Sequence, residues 1–212
     1  MTKKITALKI QKKNKNRVSV YLDHEYAFGL SRIVAGWLAI GQELTEEKIK
    51  ELKAKDNVEI ALQKALNYLS YRPRTEQEVR QNLNKKHGFE EGIIDQIIER
   101  LERGGLVDDH NFAEMWVENR SEFRPRGSRA LRMELRQKGI NDQIISEALE
   151  NLDEESLALK AARKQARKYK DLEWFEFRKK LTGFLSRRGF NYSIIAEVAP
   201  KVWDEISSQQ PD

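Results

Sequence analysis

The chain of 212 residues contains no cysteine, which excludes disulfide bonds, thiolate metal sites and cysteine nucleophiles together. It also lacks any run of the roughly 18–20 apolar residues that a membrane-spanning helix needs, so no membrane protein is expected. No apolar segment follows Lys3-Lys4, and no signal peptide is predicted. The three histidines stand apart from one another and from carboxylates, so neither a metal nor another cofactor is expected. These absences favour a soluble cytoplasmic protein.

Nucleotide-binding and catalytic motifs are missing as well. Neither G-x-x-x-x-G-K nor G-x-G-x-x-G occurs in the sequence. Asp108-Asp109 directly precedes a predicted helix, where acids complement the positive end of the helix dipole, and this role is favoured over acid–base catalysis. We therefore predict that the protein is not an enzyme. An enzyme acting on nucleic acid stays as an alternative, with no carboxylate cluster to support it.

The positive charge is concentrated in two segments of the chain. Lys and Arg number 39 against 34 Asp and Glu, a formal net charge of +5. Residues 1–50 carry 10 basic and 5 acidic side chains, and residues 153–190 carry 11 and 6. Residues 51–152 carry 17 and 19, and residues 191–212 carry 1 and 4. Clustering of this kind points to a polyanionic partner more strongly than the total does.

The N-terminal segment differs from the rest of the chain. Ile5–Ile10 alternates and Val18–Leu22 is β-branched and aromatic, with a polar stretch between them, so a β-hairpin is predicted. Tyr26–Leu30 either adds a short strand or leads into a helix. Thr45 is a candidate N-cap followed by two acids, which predicts a helix over 45–54. The lysines of the hairpin are either a second DNA contact or only a soluble edge.

An internal repeat of about 50 residues fills the remainder. Gly88-Phe89, Gly139-Ile140 and Gly189-Phe190 have glycines 51 and 50 residues apart. At the same five offsets after each glycine every residue is apolar, with the spacing of one helix face. These residues are Ile93, Ile94, Ile97, Ile98 and Leu101, then Ile144, Ile145, Ala148, Leu149 and Leu152, then Ile194, Ile195, Val198, Ala199 and Val202. An apolar pair four residues apart precedes each glycine and predicts another helix: Val79 and Leu83, Leu131 and Leu135, Leu181 and Leu185.

Each repeat therefore contains three predicted helices, the first of them near 57–70, 110–122 or 154–169. The glycine is expected to end the second helix with a positive φ, and Asn141 and Asn191 are candidate N-caps of the third. We predict a mainly α fold: a tandem array of three three-helix, helix-turn-helix-like repeats, preceded by a small N-terminal β-hairpin and helix segment. The predicted boundaries are 1–56 for the N-terminal segment, then 57–109, 110–153 and 154–212 for the repeats.

Basic clusters supply the candidate contact residues. Arg-Pro-Arg occurs at 72–74 and again at 124–126, and proline disfavours helix at the preceding residue, so both copies are predicted helix boundaries that display guanidinium groups. An arginine stripe follows on the second helix of repeat two, and lysine and arginine stripes line the first helix of repeat three. Basic runs at 178–180 and 187–188 extend this surface.

A single basic stripe is more often an ordinary solvated face, but several in tandem favour an anionic partner, and arginine suits carboxylate or phosphate forks. The predicted contact residues are Arg72, Arg74, Arg124, Arg126, Arg129, Arg132, Arg136, Lys164, Arg167 and Lys168.

The third helices of the first two repeats disfavour a DNA-reading helix-turn-helix protein, because they are acidic. The acids are Glu90, Glu91, Asp95, Glu99 and Glu102 in one, and Asp142, Glu147 and Glu150 in the other. A recognition helix lies between phosphates, which penalise carboxylates. Any nucleic acid would therefore be bound through backbone charge, without base specificity.

Three blocks of the sequence resemble the bacterial RecX family of regulatory proteins. Leu69–Val79 resembles the family signature Leu-x-x-Arg-x-Arg-Ser/Thr-x-x-Glu-Leu. The second block is Gly105–Asp109 with Phe112, Ala113, Trp116, Val117 and Arg120, and the third is Gly127, Leu131, Glu134, Leu135 and Lys138–Ile140. Together they cover residues 58–152. The third repeat keeps the glycine framework but has Glu173–Glu176 where Arg-x-Arg would be expected.

The resemblance implies a modulator of the RecA recombinase. Members of the family bind along the groove of the RecA–DNA filament, restrain its ATPase, strand-exchange and co-protease activities, and so dampen the SOS response and recombinational repair. The implied partners are the RecA filament and single- or double-stranded DNA, with no membrane, and the basic residues above would be contacts. A second hypothesis is a sequence-independent nucleic-acid-binding protein that acts through phosphate contacts without a specific RecA partner.

Overall fold

The computed structural model describes residues 2–208, which fall into two compact units. Unit one holds residues up to 73 together with 79–107, and unit two holds residues 74–78 together with those from 108 onward. The fold is mainly helical with a small N-terminal sheet, which confirms the predicted fold class.

The sheet of unit one has four strands in the order β3-β2-β1-β4, and neighbouring strands are antiparallel. The strands are β1 (Thr2–Ile10), β2 (Arg17–Leu22), β3 (Glu25–Ser31) and β4 (Glu43–Thr45). The predicted hairpin is therefore confirmed as β1–β2. The segment Tyr26–Leu30 both forms a strand and leads into a helix, since β3 runs directly into the short helix α1 (Arg32–Ala35). Strand β4 was not predicted.

One long helix, α2 (Glu46–Leu69), replaces the two helices expected on either side of residue 56. Thr45 caps it as predicted, because its side chain accepts a hydrogen bond from the Lys48 backbone N–H. The N-terminal half packs on the sheet through Leu52, and the C-terminal half packs into the first repeat through Ala61 and Ala65. The change of partner alters the apolar pattern along the helix without breaking its backbone.

The other helices follow the predicted repeat. The first repeat continues with α3 (Glu76–Gln81), a π-helical turn (Asn82–Lys86) and α4 (Glu91–Arg103). The second has α5 (Asp109–Phe123), α6 (Ser128–Gln137) and α7 (Asp142–Leu149), and the third has α8 (Glu154–Ala166), α9 (Trp174–Arg187) and α10 (Tyr192–Ser207). The apolar pairs that precede the glycines are fully buried in all three repeats.

The repeat glycines end their helices in the predicted left-handed conformation. Gly88, Gly139 and Gly189 have φ values of +71°, +86° and +86°. Asn141 caps α7 through a 2.9 Å bond from the Ile144 N–H, whereas Asn191 occupies the cap position of α10 without a side-chain cap bond. Asp108 caps α5 and Asp109 lies in its first turn, so both acids stand at the helix N-terminus, where the sequence predicted that they complement the dipole.

No helix within residues 2–208 combines the length and apolar character needed to cross a bilayer. Over the same residues, no three side chains of the His, Asp and Glu type converge as metal ligands would.

Candidate polyanion-binding cleft

The second Arg-Pro-Arg segment lies between α5 and α6 in unit two. Helix α5 ends at Phe123, and the backbone of its C-cap residue Arg124 leaves the helical region (φ −144°, ψ 67°) as expected for a residue before proline. Pro125 is buried and Gly127 is the N-cap of α6, so the flanking arginines are displayed at a fixed corner of the chain. Arg124 is exposed and Arg126 is half-buried.

Arg126 is held in place by Glu134 of α6. The Glu134 carboxylate accepts hydrogen bonds from Trp116 Nε1 at 2.8 Å and Arg120 Nε at 2.8 Å, and it pairs with Arg126 Nη1 at 2.7 Å. The Arg120 guanidinium also lies over the Trp116 ring, 4.3 Å from its centroid. A largely buried carboxylate with three donors fixes the orientation of all its partners, and the Arg126 guanidinium is therefore preorganised.

The turn at Gly189 packs directly against the start of α6. The Gly127 N–H donates to the Arg188 carbonyl at 3.0 Å, and Arg188 Nη1 donates to the Pro125 carbonyl at 3.0 Å. This contact brings Arg188 beside the Arg-Pro-Arg corner. Burial lowers the pKa of the Arg188 guanidinium, and the positive charges of Arg126 and Arg124 lower that pKa further. Three guanidinium groups thus share one region and repel one another.

Helix α8 and the turn that follows it add three lysines at intervals of four residues. Lys160 is partly neutralised, since its Nζ lies 3.2 Å from a Glu122 carboxylate oxygen. Lys164 and Lys168 are exposed. Over the part of the chain that the structure describes, no carboxylate lies within 4 Å of either lysine, of Arg124 or of Arg187.

These elements enclose a cleft of about 530 Å³, called the cationic cleft below. Its charged lining consists of seven cations and one acid: Arg124, Arg126, Lys160, Lys164, Lys168, Arg187 and Arg188, with Glu122. Phe123 at the rim is 69% exposed, and Phe184 lies under the Arg188 guanidinium at 4.7 Å. Concentrated positive charge in a concave surface focuses the field and attracts a polyanion such as a phosphate chain or an acidic peptide.

Four predicted contact residues meet in this cleft: Arg124, Arg126, Lys164 and Lys168. Arg167 lies on an adjoining concave surface along α8. Among the others, Arg72 is exposed and donates to the Pro73 carbonyl, and Arg74 begins the short segment that belongs to unit two.

The arginine stripe of α6 does not join the cleft lining. Arg129 is exposed, Arg132 donates to Ser146 Oγ at 3.2 Å, and Arg136 binds both oxygens of Asp142 at 2.7 and 3.0 Å. The Asp142 hydrogen bonds raise the pKa of Arg136. Arg136 thus has an acidic partner already.

Three cleft cations, Lys160, Arg187 and Arg188, were not among the predicted contact residues. Their signal was visible in the sequence as a lysine stripe and an Arg-Arg run, but nothing local indicated that they face the Arg-Pro-Arg corner.

Comparison with known proteins gives one consistent result. Family models match four consecutive stretches of the chain: the N-terminal domain of the regulatory protein RecX (3–45) and its first (61–101), second (108–149) and third (153–198) three-helix domains. The regulatory protein RecX of Leuconostoc mesenteroides is 34% identical over 208 residues, which cover 96% of this chain and 77% of the relative. That of Bacillus licheniformis is 36% identical over 197 residues, covering 91% and 74%.

Solved structures agree with the sequence comparison. A crystal structure of regulatory protein RecX has 31% identity and a TM-score of 0.77, and the match covers 93% of this chain and 99% of the other. The crystal structure of RecX from Lactobacillus salivarius has 30% identity and a TM-score of 0.64, covering 70% and 97%. The suggested resemblance is thereby confirmed, and this chain belongs to the RecX family of regulatory proteins.

Proposed function

We propose that this protein is a non-enzymatic regulator that binds the RecA–DNA filament through the cationic cleft. Binding would inhibit the filament's ATPase, strand-exchange and co-protease activities and so modulate DNA repair and the SOS response. The observation that carries the proposal is the group of cleft cations without acidic partners, in a chain of a regulatory family. A RecA–DNA filament offers both phosphates and protein carboxylates to such a surface.

The cleft is suited to contact with a polyanion and not to reading base sequence. Lys164 and Lys168 are flexible point charges, whereas Arg126 and Arg188 are fixed by Glu134 and by the Pro125 carbonyl. Fixed guanidinium groups with mobile ammonium groups at the rim fit a chain of oxyanions of variable spacing. Positive charge of this kind supplies affinity that is independent of sequence.

A second candidate function is sequence-independent binding of nucleic acid without a RecA partner. The exposed Phe123 ring at the rim of the cleft favours it, because aromatic rings beside cations are a common feature of single-strand binding surfaces.

The two functions are separated by measuring the ATPase activity of RecA on single-stranded DNA with the DNA kept in excess over the added protein. A RecA-specific regulator inhibits under these conditions because it acts on the filament, whereas a protein that only occupies DNA leaves enough free DNA for RecA. Absence of inhibition with DNA in excess, together with binding of the protein to DNA alone, would establish the second function instead.

The role of the cleft is tested by the double variant K164Q/K168Q, which removes two exposed charges and no packing. A matched control is K85Q/K86Q, which removes the same charge from exposed lysines of the first repeat. The cleft variant should lose inhibition, and its log–log dependence of binding on salt should flatten by about 1.4, roughly 0.7 for each lost phosphate contact on a single strand. Equal losses in both variants would mean that net charge, and not the cleft, controls binding.

A further inference from the structure

The outer face of the N-terminal sheet, away from the core of unit one, carries two adjacent tyrosines. Tyr21 on β2 is the register partner of Tyr26 on β3, and their rings meet edge to face with centroids 5.9 Å apart. The register shifts by one residue at Ala27, a β-bulge that turns Tyr26 to the outer face although Phe28 is buried. Tyr26 is 60% exposed.

The residues around this pair are small, polar or positively charged, and Gln11 Nε2 lies 3.3 Å from Ser19 Oγ. Ala7 on β1 is the register partner of Tyr21, and Ser19 lies beside Gly29 on the same face. Lys9 Nζ lies 4.9 Å from the centroid of the Tyr21 ring. This surface is called the tyrosine face below (Ala7, Lys9, Ser19, Tyr21 and Tyr26), and the exposure of Tyr26 leaves part of its ring accessible to a flat group.

The β1–β2 hairpin, which carries every residue of the tyrosine face except Tyr26, is strongly basic. No acidic residue occurs before Asp23, and the Asp23 carboxylate accepts a hydrogen bond from the Lys4 backbone N–H. Arg17 is paired with Asp56 at 2.9 Å. The six lysines of this hairpin have no carboxylate within 4 Å among residues 2–208: Lys3, Lys4, Lys9, Lys12, Lys13 and Lys15.

We propose that the tyrosine face is a binding site for single-stranded nucleic acid, with a base stacked on Tyr26 and the phosphates along the hairpin lysines. Aromatic rings on a sheet stack with unpaired bases, and the unneutralised lysines beside them attract the phosphates of the same nucleic-acid strand. Strand β2 covers about 13 Å between Arg17 and Tyr21. The charged turn and the tyrosines can therefore contact one continuous stretch of nucleic acid. A duplex keeps its base faces stacked inside, and an acidic protein would use the lysines without needing the ring. The site lies in unit one and does not depend on the proposed regulation of RecA.

Fluorescence anisotropy with oligothymidylate and oligouridylate of about 16 nucleotides tests the site. The full chain is used in the K164Q/K168Q background, so that the cationic cleft contributes little. Y26L should weaken binding about fivefold to 100-fold, the equivalent of one stacked base. Y26F should bind like its parent, because the ring is retained. K9Q should weaken binding and also reduce its dependence on salt.

The control is Y192L, which removes a tyrosine of similar exposure (65%) from the third repeat. The proposal is overturned if Y26L binds as its parent does, if Y26F loses as much as Y26L, or if Y192L loses as much as Y26L. It is also overturned if the K164Q/K168Q parent binds neither oligonucleotide. Loss in Y26L alone supports it, and the tighter of the two strands identifies whether the site prefers DNA or RNA.

Discussion

Substituting Gly127 by alanine should separate the two walls of the cationic cleft. The residue is the N-cap of α6 with φ −75° and ψ 161°, a backbone conformation that alanine adopts without strain. A Cβ there would nevertheless lie 2.5 Å from the Gly189 carbonyl carbon and 2.6 Å from the Phe190 nitrogen, and it would also clash with the Gly189 carbonyl oxygen. Carbon contacts are optimal at about 3.5–4.0 Å, so the backbones must move apart by roughly 1 Å.

The cost of this movement can be estimated from the contacts that it strains. Overpacking a tight site costs about 1–3 kcal/mol, and losing the hydrogen bond from Gly127 N–H to the Arg188 carbonyl costs about 1 kcal/mol. We expect G127A to lower the free energy of unfolding by about 3 kcal/mol. In a chain of this size each kcal/mol corresponds to about 2–4 °C, so Tm should fall by about 6–12 °C. Binding of polyanions should weaken as well, because Arg188 moves away from the Arg-Pro-Arg corner.

Tryptophan fluorescence during thermal unfolding is a suitable assay, since Trp116, Trp174 and Trp203 all belong to unit two. The matched control is G183A inside α9, where a Cβ would approach only the flexible end of Arg187 at 3.3 Å. Replacing this helical glycine should stabilise the protein by up to about 1 kcal/mol. If G127A melts at or above the parent temperature and binds polyanions equally well, the glycine contact does not hold the cleft together.

Substituting three carboxylates one at a time gives three further predictions about stability. E134Q should lower the free energy of unfolding by about 2 kcal/mol in urea titrations, because partly buried guanidinium groups lose their ionic partner, and an unchanged midpoint would contradict this. D56A should cost about 2–3 kcal/mol by the same assay, since this buried carboxylate binds Arg17 and the Ser31 N–H, while a near-neutral effect would show that the sheet does not need it. Burial raises the pKa of Asp109, so the stability that this carboxyl group contributes is present at low pH and is lost as pH rises through the raised pKa. D109N should therefore be more stable than the parent at neutral pH but not at acidic pH. A gain in stability that is equal at both pH values would refute the assignment.

The apolar periodicity of the three repeats could be predicted because it is a local property. Ile94, Ile145 and Ile195 occupy the same offset from their glycines, and each is almost completely buried. A helical face needs only the residues three and four positions away, and the glycine that ends the preceding helix marks the register. The β1–β2 hairpin could be predicted because alternation and β-branched residues are local signals as well.

The cationic cleft could not be predicted because it depends on a contact between segments distant in sequence. Arg187 and Arg188 precede a glycine turn, and only the packing of Gly189 on Gly127 places them opposite Arg124. Arg136 shows the converse. Its position on the outer stripe of α6 suggested availability, yet the turn that follows brings Asp142 of α7 within 2.7 Å. Helix periodicity predicts the direction in which a side chain points. It does not predict which residues of the next element lie within reach of that side chain.

The unbroken helix α2 fixes the angle about its axis between the face that packs on the sheet and the face that packs into the first repeat. Its 24 residues contribute to the sheet core at one end and to the first-repeat core at the other. An inserted or deleted residue between Leu52 and Ala61 would rotate one core about the helix axis by about 100° relative to the other and shift it by about 1.5 Å. Insertions of seven residues, close to two full turns, nearly restore the rotation, whereas insertions of two would turn one apolar face to water. The helix can therefore change in length only by about whole turns if both apolar faces are to stay buried. This constraint holds even where its individual side chains face solvent.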